Sequence, residues 1–435
     1  MLTFLGFAMV IAFMYLIMSK RLSALIALIL VPILFAIFGG FATEIGPMML
    51  AGITKLAPTG VMLMFAILYF ALMIDSGLFD PAVRQILRWV KGDPMKVSVG
   101  TAVLALVVSL DGDGATTYMI CVAAMLPLYS RIGMSPRIMA GLIILAGGIM
   151  NMTPWGGPTA RAASALHVEA SDIFVPMIPA MFAGVVALLL IAYFYGKRER
   201  ARLGELHLQG DEADHSEISV SQFPDARRPK MIWFNGALTL LLMISLIMSV
   251  LPLPVLFMIA FSIAMIINYP NMQDQKDRVA AHAGSVLSVV GLIFAAGIFT
   301  GILTGTGMVD AMSKSLLAVI PDAMGPYLAV ITALVSMPFT FFMSNDAFYF
   351  GVLPVLTEAA AHYGISPVEM ARASIVGQPV HLLSPLVPST YLLVALAGIE
   401  FGDHQRFTLK WAVLVCLCIM VAALLMGIFP FYSSL

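Results

Sequence analysis

Three aspartates stand in strongly apolar surroundings, where an acidic side chain is unusual. Asp111 and Asp113 belong to the segment LDGDGATTYM, and Asp346 belongs to SNDAFYFGVLP. A carboxylate at membrane depth costs roughly 3 kcal/mol or more and marks an ion, proton or substrate site by default. We predict all three as metal ligands, and Asp113 and Asp346 also as proton carriers. The alternative is that these acids cap short helices, with Gly112 and Gly114 simply making the turn.

Most of the other polar side chains near these acids, and near two interrupted apolar helices, carry oxygen. Such groups suit hard cations and carboxylates rather than soft metals. The predicted substrate-binding residues are Thr116, Thr117, Asn151, Thr153, Pro154, Gly156, Gly157, Arg161, Ser344, Asn345, His381, Ser384, Ser389 and Thr390. Arg161 either faces a substrate carboxylate, or pairs with an aspartate or snorkels outward. His381 either carries a coupling proton or hydrogen-bonds backbone groups that the interruption leaves free.

The composition excludes two broad classes of function. The chain has 435 residues, of which 61% are hydrophobic and only 11% are charged. A soluble protein of this length would carry about 25% charged residues, so a soluble enzyme is excluded. The net charge of −1 gives no basic surplus for neutralising phosphates, which argues against nucleic acid as a partner. The composition instead predicts an all-α polytopic protein in a lipid bilayer.

Apolar runs of about 20 residues predict the membrane crossings. In the first half we predict spans at 2–18, 22–41 and 59–78, an interfacial amphipathic helix at 80–96, a hairpin at 97–131, a broken helix at 137–167 and a final span at 173–196. In the second half the same order gives 231–250, 252–268, 284–304, 310–323, 326–361, 368–399 and 409–432. The first hairpin has two apolar arms of 14 residues each, 97–110 and 118–131. Each arm would reach only about 21 Å, so this hairpin is predicted to be re-entrant, with its tip near mid-membrane.

Repeated motifs indicate that the two halves, 1–196 and 231–435, arose by duplication, with 197–230 as a solvent-exposed cytoplasmic linker. The matching pairs are SGLFD (76–80) with TGMVD (306–310), MLPL (125–128) with VLPV (352–355), and GMSP (133–136) with GISP (364–367). Each half has five full crossings, an odd number, so the halves must have opposite orientations. With both termini outside, the predicted cytoplasmic segments hold every Lys and Arg except Lys55, Arg161, Lys314 and Arg372. Inverted repeats of this kind are typical of secondary transporters, whose sites lie between the repeats near the bilayer midplane.

Four segments resemble the bacterial citrate–divalent metal–proton symporter family. They are LDGDGATTYM (110–119), MNMTPWGGPTARAASAL (150–166), SNDAFYFGVLP (344–354) and GQPVHLLSPLVPST (377–390). The similarity extends over essentially the full chain and includes FAAGIFTGILTG (294–305) and DHQRFTLKWAV (403–413). The resemblance implies that the protein is not an enzyme, and that it takes up citrate as a complex with a divalent metal ion, driven by protons, across the bacterial inner membrane.

The resemblance also implies the fold of a wider ion transporter superfamily. In that fold a homodimer carries a scaffold domain and a transport domain that moves by an elevator mechanism. The dicarboxylate branch of the superfamily has Ser-Asn-Thr motifs at both hairpin tips. This chain departs from it, with Ser344-Asn345-Asp346 at the second tip and DGAT (113–116) at the first. The sodium sites of that branch are therefore not carried over.

The residues favour a metal-bound substrate because three acids at the tips would repel a free tricarboxylate. Protonation of the acids, or a cation that travels with the substrate, removes this repulsion. We expect citrate oxygens at Thr153, Ser384 and Thr390, the metal at Asp113 or Asp346, and the proton on a neighbouring acid or histidine. No tightly bound cofactor is predicted. Magnesium, calcium, zinc or a similar divalent cation would be co-transported.

Two other transporters remain as alternatives. One is a sodium-coupled di- or tricarboxylate transporter, and the other is a cation/proton antiporter with the same fold. A membrane-embedded hydrolase is disfavoured because the sequence contains no catalytic triad, no His-Glu-x-x-His and no Gly-x-Gly-Asp motif.

Overall fold

The computed structural model describes residues 1–90, 92–112, 114–203, 223–318, 321 and 323–433. Every regular element within these ranges is helical, which confirms the predicted all-α class. Asp113, a predicted metal ligand and proton carrier, and most of the predicted linker lie outside the described residues. The predictions made for them therefore stay predictions.

The residues before 204 form a succession of nine α-helices in the described part of the chain. They are α1 (Leu2–Met18), α2 (Ala24–Phe38), α3 (Ile45–Asp75), α4 (Asp80–Val90), α5 (Pro94–Val108), α6 (Gly114–Ile132), α7 (Pro136–Met150), α8 (Gly157–Leu166) and α9 (Ala170–Leu203). A 3-10 turn, Ser109–Asp111, extends α5. Helices α7 and α8 correspond to the predicted broken helix, and the break covers 151–156.

The helices of the second half have the same succession of long, short and interrupted elements. They are α10 (Ile232–Ile247), α11 (Leu253–Asn268), α12 (Met272–Gly305), α13 (Met308–Leu317), α14 (Leu328–Phe342), α15 (Leu353–Ala361), α16 (Pro367–Ser374), α17 (Gln378–His381), α18 (Pro388–Ala397) and α19 (Phe401–Leu425). A π-helical segment, Ala347–Val352, leads into α15. A 3-10 turn, Ile375–Gly377, joins α16 to α17.

Several helices are long and apolar enough to cross a membrane. The described residues contain eight such helices, including α3, α9, α12 and α19. Each has at least 18 residues and would span about 27 Å or more, close to the thickness of the hydrocarbon core. This confirms the predicted polytopic membrane protein.

The predicted length of the first hairpin's arms is wrong. The first arm, Pro94–Asp111, has 18 residues, and the second, Gly114–Ile132, has 19. The first arm starts early because the side chain of Asp93 caps α5, accepting a hydrogen bond of 3.0 Å from the Met95 N–H. The stretch predicted as amphipathic, 80–96, therefore ends sooner, with α4 at Val90. Length alone does not make this hairpin re-entrant.

Other boundaries also differ from the predicted ones. Helices α3 and α12 start at Ile45 and Met272, well before the predicted spans at 59–78 and 284–304. At α12 the side chain of Asn271 caps the early start by accepting a 2.8 Å hydrogen bond from the Gln273 N–H. Helix α9 continues through Leu203, into the predicted linker 197–230, where Arg202 pairs with Glu199 at 2.5 Å. The other end of that tract packs on the protein: Ala226 is buried, and its carbonyl accepts a 2.7 Å hydrogen bond from the Tyr269 hydroxyl. The prediction that 197–230 is purely solvent-exposed is thus wrong for the two ends of this segment.

Helices α3 and α12 pack against each other with almost no space between their backbones. A Cβ added at Gly52 would lie 1.9 Å from the carbonyl oxygen of Gly297. A Cβ added at Gly301 would lie 2.4 Å from the carbonyl oxygen of Met48. Small residues at such a crossing allow helices to approach closely within a membrane. The pair forms a rigid wall beside the interrupted helices.

Candidate functional site

The break between α7 and α8 is a compact turn that admits only glycine at its end. The amide of Gly156 donates a 2.8 Å hydrogen bond to the carbonyl of Thr153. A Cβ added at Gly156 would lie 2.0 Å from the carbonyl oxygen of Asn151. The hydroxyl of Thr159 donates to the carbonyl of Met152 at 2.9 Å and satisfies one group that the break frees.

The turn between α5 and α6 lies against this break. The indole Nε1–H of Trp155 donates a 2.9 Å hydrogen bond to the carbonyl of Leu110. Gly112 has a φ of +78°, and a Cβ added there would lie 2.9 Å from Trp155 Cδ1. Glycine is therefore required at this position both by the backbone angle and by the close approach. The first hairpin tip and the first helix break form one unit.

The second half has an equivalent contact between its own tip and its own break. The end of α14 offers two carbonyls to the segment that follows α16. Thr340 O lies 2.7 Å from His381 Nδ1, and Phe341 O accepts a 2.7 Å hydrogen bond from the Ser384 hydroxyl. For His381, this contact is the one expected if the histidine hydrogen-bonds backbone groups that the helix interruption leaves free.

Three contacts join the two halves across these breaks. Arg161 Nε lies 2.6 Å from Asp346 Oδ1, and both side chains are largely buried. Asn151 Nδ2 donates a 3.1 Å hydrogen bond to Gln378 Oε1. A Cβ added at Gly148, one turn before the first break, would lie only 2.5 Å from Pro379 Cα. The four interruptions of helical structure are thus brought together.

A cavity of about 780 Å³ lies between the α3–α12 wall on one side and the first tip and first break on the other. From the predicted set, the residues that line it are Asp111, Thr116, Gly157 and Arg161. Trp155 lines it as well, and its ring lies tilted against Phe70 of α3, with the ring centroids 4.9 Å apart. Its volume falls within the range of ordinary small-molecule sites, which runs from about 300 to 1,000 Å³. The cavity is mainly apolar, with a few polar groups that converge on it.

Three predicted residues carry buried oxygens that the protein leaves without a partner. Among the residues that the structure describes, Thr117 Oγ1, Thr153 Oγ1 and Asn345 Oδ1 have no hydrogen bond. A buried polar atom left unpaired costs about 1–3 kcal/mol, so each such atom calls for a partner such as a water or an ion. These oxygens lie in the first tip, the first break and the second tip, respectively.

Other predicted residues use their hydroxyls to hold the breaks. Ser344 Oγ accepts a 3.2 Å hydrogen bond from the Ala347 N–H and caps the second tip. Ser384 donates to Phe341 O, and Thr390 donates to Leu382 O. In this arrangement Ser384 and Thr390 have no hydroxyl hydrogen left for citrate oxygens and offer only lone pairs. Ser389 lies close to the first tip, with its Oγ 3.4 Å from a Cβ added at Gly114.

The predicted acids do not form a metal centre by themselves within the described chain. No three His, Cys, Asp or Glu side chains among the described residues are grouped to hold a metal ion. Asp111 is 9% exposed and lines the cavity, whereas Asp346 reaches it through its ion pair with Arg161.

Sequence reasoning missed the polar groups that α3 and α12 contribute to the cavity. Asp75, His282, Ser285 and Ser288 all line it. Asp75 lies inside the predicted span 59–78 and is 2% exposed, so the rule that singled out the other acids applies to it equally. His282 was not identified because the predicted third span of the second half began at 284, just after it.

The fold and the site together define the class of protein. Interrupted helices that meet beside a cavity with converging polar groups are typical of membrane transporters, since non-helical backbone at membrane depth is tolerated only where protein or water covers it. The sequence profile of the family described as Citrate transporter matches residues 10–377. The chain belongs to this family and is a transporter rather than an enzyme, so the resemblance and the non-enzymatic prediction are both confirmed.

Similar proteins span almost the whole chain. The Citrate transporter of Bacillus subtilis (strain 168) is 61% identical over 431 residues, covering 99% of this chain and 100% of that protein. The Mg(2+)/citrate complex secondary transporter of the same organism is 55% identical over 428 residues, covering 98% of this chain and 99% of that protein. MtrF of Neisseria gonorrhoeae, of a class of antimetabolite efflux pumps, is only 15% identical. Its TM-score is 0.61, with coverage of 89% of this chain and 84% of MtrF, which shows a shared fold.

Proposed function

We propose that this member of the citrate transporter family imports citrate as a complex with a divalent metal ion, coupled to proton symport. One observation carries the proposal: the same cavity wall presents an acid, Asp111, and a guanidinium, Arg161. A ligand that carries both carboxylates and a metal ion complements that pair of charges. The 55% identical relative that is named for the Mg(2+)/citrate complex supports the choice of substrate.

Arg161 is placed to hold one carboxylate of the substrate. A guanidinium has five N–H donors in a fixed fork. Asp346 accepts from its Nε, and the carbonyl of Gly157 accepts from Nη1 at 3.1 Å. These two contacts fix the orientation of the side chain and leave donors that can face the cavity. The metal ion would meet Asp111, with citrate supplying its remaining carboxylate oxygens. The unpaired oxygens of Thr117, Thr153 and Asn345 would take further polar groups of the complex.

The pair of Arg161 and Asp346 also provides a route for the proton. If a substrate carboxylate draws the guanidinium towards the cavity, the carboxylate of Asp346 loses its cation. A buried carboxylate without a partner is costly, and protonation removes that cost. Substrate binding and proton uptake at Asp346 would then favour each other. Asp113, His381 and Asp346 remain the proposed proton carriers.

The architecture that we propose is a pair of inverted repeats, α1–α9 and α10–α19, in the bacterial inner membrane. The similar order of elements supports it, as do the equivalent contacts of Trp155 with Leu110 and of Ser384 with Phe341. The first tip would be re-entrant because it touches the break of α7 and α8. That break would lie midway along an apolar segment, 136–166, that crosses the membrane.

In this proposal α5–α9 and α14–α19 form a transport domain that moves by an elevator mechanism against a scaffold. The scaffold would be α1–α4 and α10–α13, in a homodimer, with both termini outside. The α3–α12 crossing supports a rigid scaffold, since the two backbones are in direct contact. The four breaks would move together because their contacts link α5–α9 to α14–α19.

Uptake of radiolabelled citrate by proteoliposomes tests the proposal. Uptake is measured with each divalent metal in turn, with and without an imposed proton gradient, and with sodium replaced by potassium. We expect uptake that requires a divalent metal, rises with an inward proton gradient and is indifferent to sodium. Uptake that depends on sodium and ignores the metal would instead favour a sodium-coupled carrier. Cation counterflow without citrate would favour an antiporter.

A further inference from the structure

A buried ion cluster joins the end of α3 to the start of α12, away from the helix breaks. Asp75, the last residue of α3, is 2% exposed. Its Oδ2 lies 3.1 Å from Arg278 Nη1 and 2.8 Å from His282 Nε2. The partners belong to the same face of α12, since they are four residues apart. The side chains of Arg278 and His282 are 16% and 20% exposed, respectively, and are thus more accessible than that of Asp75.

This cluster opens on the cavity that holds Arg161. Asp75 and His282 line the cavity, together with Phe223. The ring of Phe223 carries the Arg278 guanidinium on its face at 4.6 Å and meets the His282 ring edge-on at 6.0 Å. The lining residues of α3 run from Leu63 to Asp75, a distance of about 18 Å. A substrate that moves along α3 would therefore pass from the helix breaks to the cluster without leaving the cavity.

The charged groups around the cluster are already matched with one another. Arg228 lies 3.6 Å from Asp274, and its guanidinium stacks on the Tyr269 ring at 4.6 Å. Arg227 pairs with Asp80, which is 1% exposed. Burial raises the pKa of Tyr269 to about 12, with Asp75 adding to the effect, so this phenol stays neutral. At this end of the cavity, the charge presented is set by the cluster itself.

The protonation of His282 decides whether that charge is zero or positive. With a neutral imidazole, the charges of Asp75 and Arg278 cancel. With a protonated imidazole, the cluster carries one net positive charge. A complex of a divalent cation with a citrate trianion carries one net negative charge, and its free carboxylate oxygens suit both a guanidinium and an imidazolium.

We propose that Arg278 and His282 form a second binding subsite for the transported metal–carboxylate anion, with Asp75 as the counter-ion that they leave when the anion arrives. The inference rests on the proposed function and adds a step to it. The anion would exchange between the Arg161 site and this subsite within one cavity. The alternative is that the cluster only ties α3 to α12. The experiment below distinguishes a binding role from this structural role.

The experiment compares three variants of the full chain in proteoliposomes, Asp75→Asn, Arg278→Gln and His282→Gln. The KM for magnesium citrate is measured across about pH 5 to 8, the interval in which histidine titrates. We expect Arg278→Gln to raise KM about tenfold. Asp75→Asn should lower KM several-fold, because it removes the competing anion. His282→Gln should raise KM about tenfold at the acidic end and little at the alkaline end. Lys276→Gln, an exposed cation on the same helix, should match the wild type.

The decisive result is that Arg278→Gln and Asp75→Asn change KM in opposite directions. If the cluster merely ties two helices together, Asp75→Asn and Arg278→Gln should both lower the stability of the protein. The KM values of the two variants should then not differ from each other. That result would overturn the subsite, as would a KM of His282→Gln that follows the wild type at every pH. If Arg278→Gln does not fold, the pH profile of His282→Gln still decides. Failure of the proposed function looks different, because the wild type itself would then take up no citrate with any metal.

Discussion

Arg161 Nε and Asp346 Oδ1 lie 2.6 Å apart, although the two residues are 185 positions apart in the sequence. Arg161 belongs to α8, on the cavity wall, and Asp346 precedes the π-helical segment of the second tip. The pair therefore joins an interrupted helix of one half to the hairpin tip of the other. A charge pair in this position can both orient the substrate and respond to it.

Breaking this pair should impair transport strongly. Asp346→Asn and Arg161→Gln each leave a largely buried partner without its counter-charge, a change that costs about 3–5 kcal/mol in buried pairs. We expect initial rates of metal–citrate uptake to fall at least about tenfold in each. The double variant should be no worse than the single ones, because the two residues act as a unit.

The exposed pair of Arg137 and Asp403 is the matched control. These side chains lie 3.6 Å apart and are 51% and 42% exposed. Exposed pairs contribute little, so Arg137→Gln should keep uptake within about twofold of the wild type. Normal uptake with normal proton coupling in Asp346→Asn would remove the role assigned to this acid.

The charge of Asp111 should affect the binding of the metal ion more than the binding of the citrate carboxylates. Asp111→Asn keeps the size of a cavity-lining side chain but removes its charge. We expect the apparent affinity for the metal–citrate complex to fall about tenfold, with a changed order of preference among divalent cations. Asp310→Asn, at an exposed acid at the start of α13, serves as the control. Equal metal preferences in wild type and Asp111→Asn would argue that the ion does not meet this carboxylate.

The indole of Trp155 should couple the first tip to the first break. Trp155→Phe keeps an aromatic ring for Phe70 but removes the hydrogen bond to Leu110 O, which is worth about 1 kcal/mol. We expect the maximal uptake rate to drop several-fold. Trp411→Phe removes a comparable 2.7 Å hydrogen bond, to Tyr195, away from the site, and should change the rate little. Equal losses in both variants would indicate a general effect on folding.

Two adjacent glycines of α7 should differ sharply in their tolerance of alanine. At Gly148 a Cβ would lie 2.5 Å from Pro379 Cα, whereas at Gly147 the nearest atom is Leu382 Cδ1 at 3.4 Å. Because backbone cannot move aside, Gly148→Ala should cost about 1–3 kcal/mol and lower the midpoint of thermal unfolding by several degrees. Gly147→Ala should unfold close to the wild type. Similar midpoints for the two would mean that α7 and α17 are packed less tightly than described.

Local sequence signals predicted the helices well and their ends less well. Apolar runs located most of the helices, but the cap at Asp93 lengthened the first hairpin arm beyond its predicted start. The acids at the tips were found because a carboxylate in an apolar run is conspicuous. Asp75 also stands in an apolar run and could have been singled out by the same rule, but its pairing with Arg278 and His282, more than 200 positions away, is visible only in the folded chain. Pairing of Arg161 with an aspartate was one stated alternative, but only the folded chain identifies Asp346 as that aspartate.

The most direct test of metal–citrate co-transport is the molar ratio of metal ion to citrate that enters the vesicles. Proteoliposomes containing the wild-type protein are given labelled citrate and a labelled divalent cation together, under an inward proton gradient, and both uptakes are counted in the same vesicles. We expect equal molar entry of citrate and cation, and loss of both in Arg161→Gln. Citrate that enters at full rate after the cation has been chelated would contradict it.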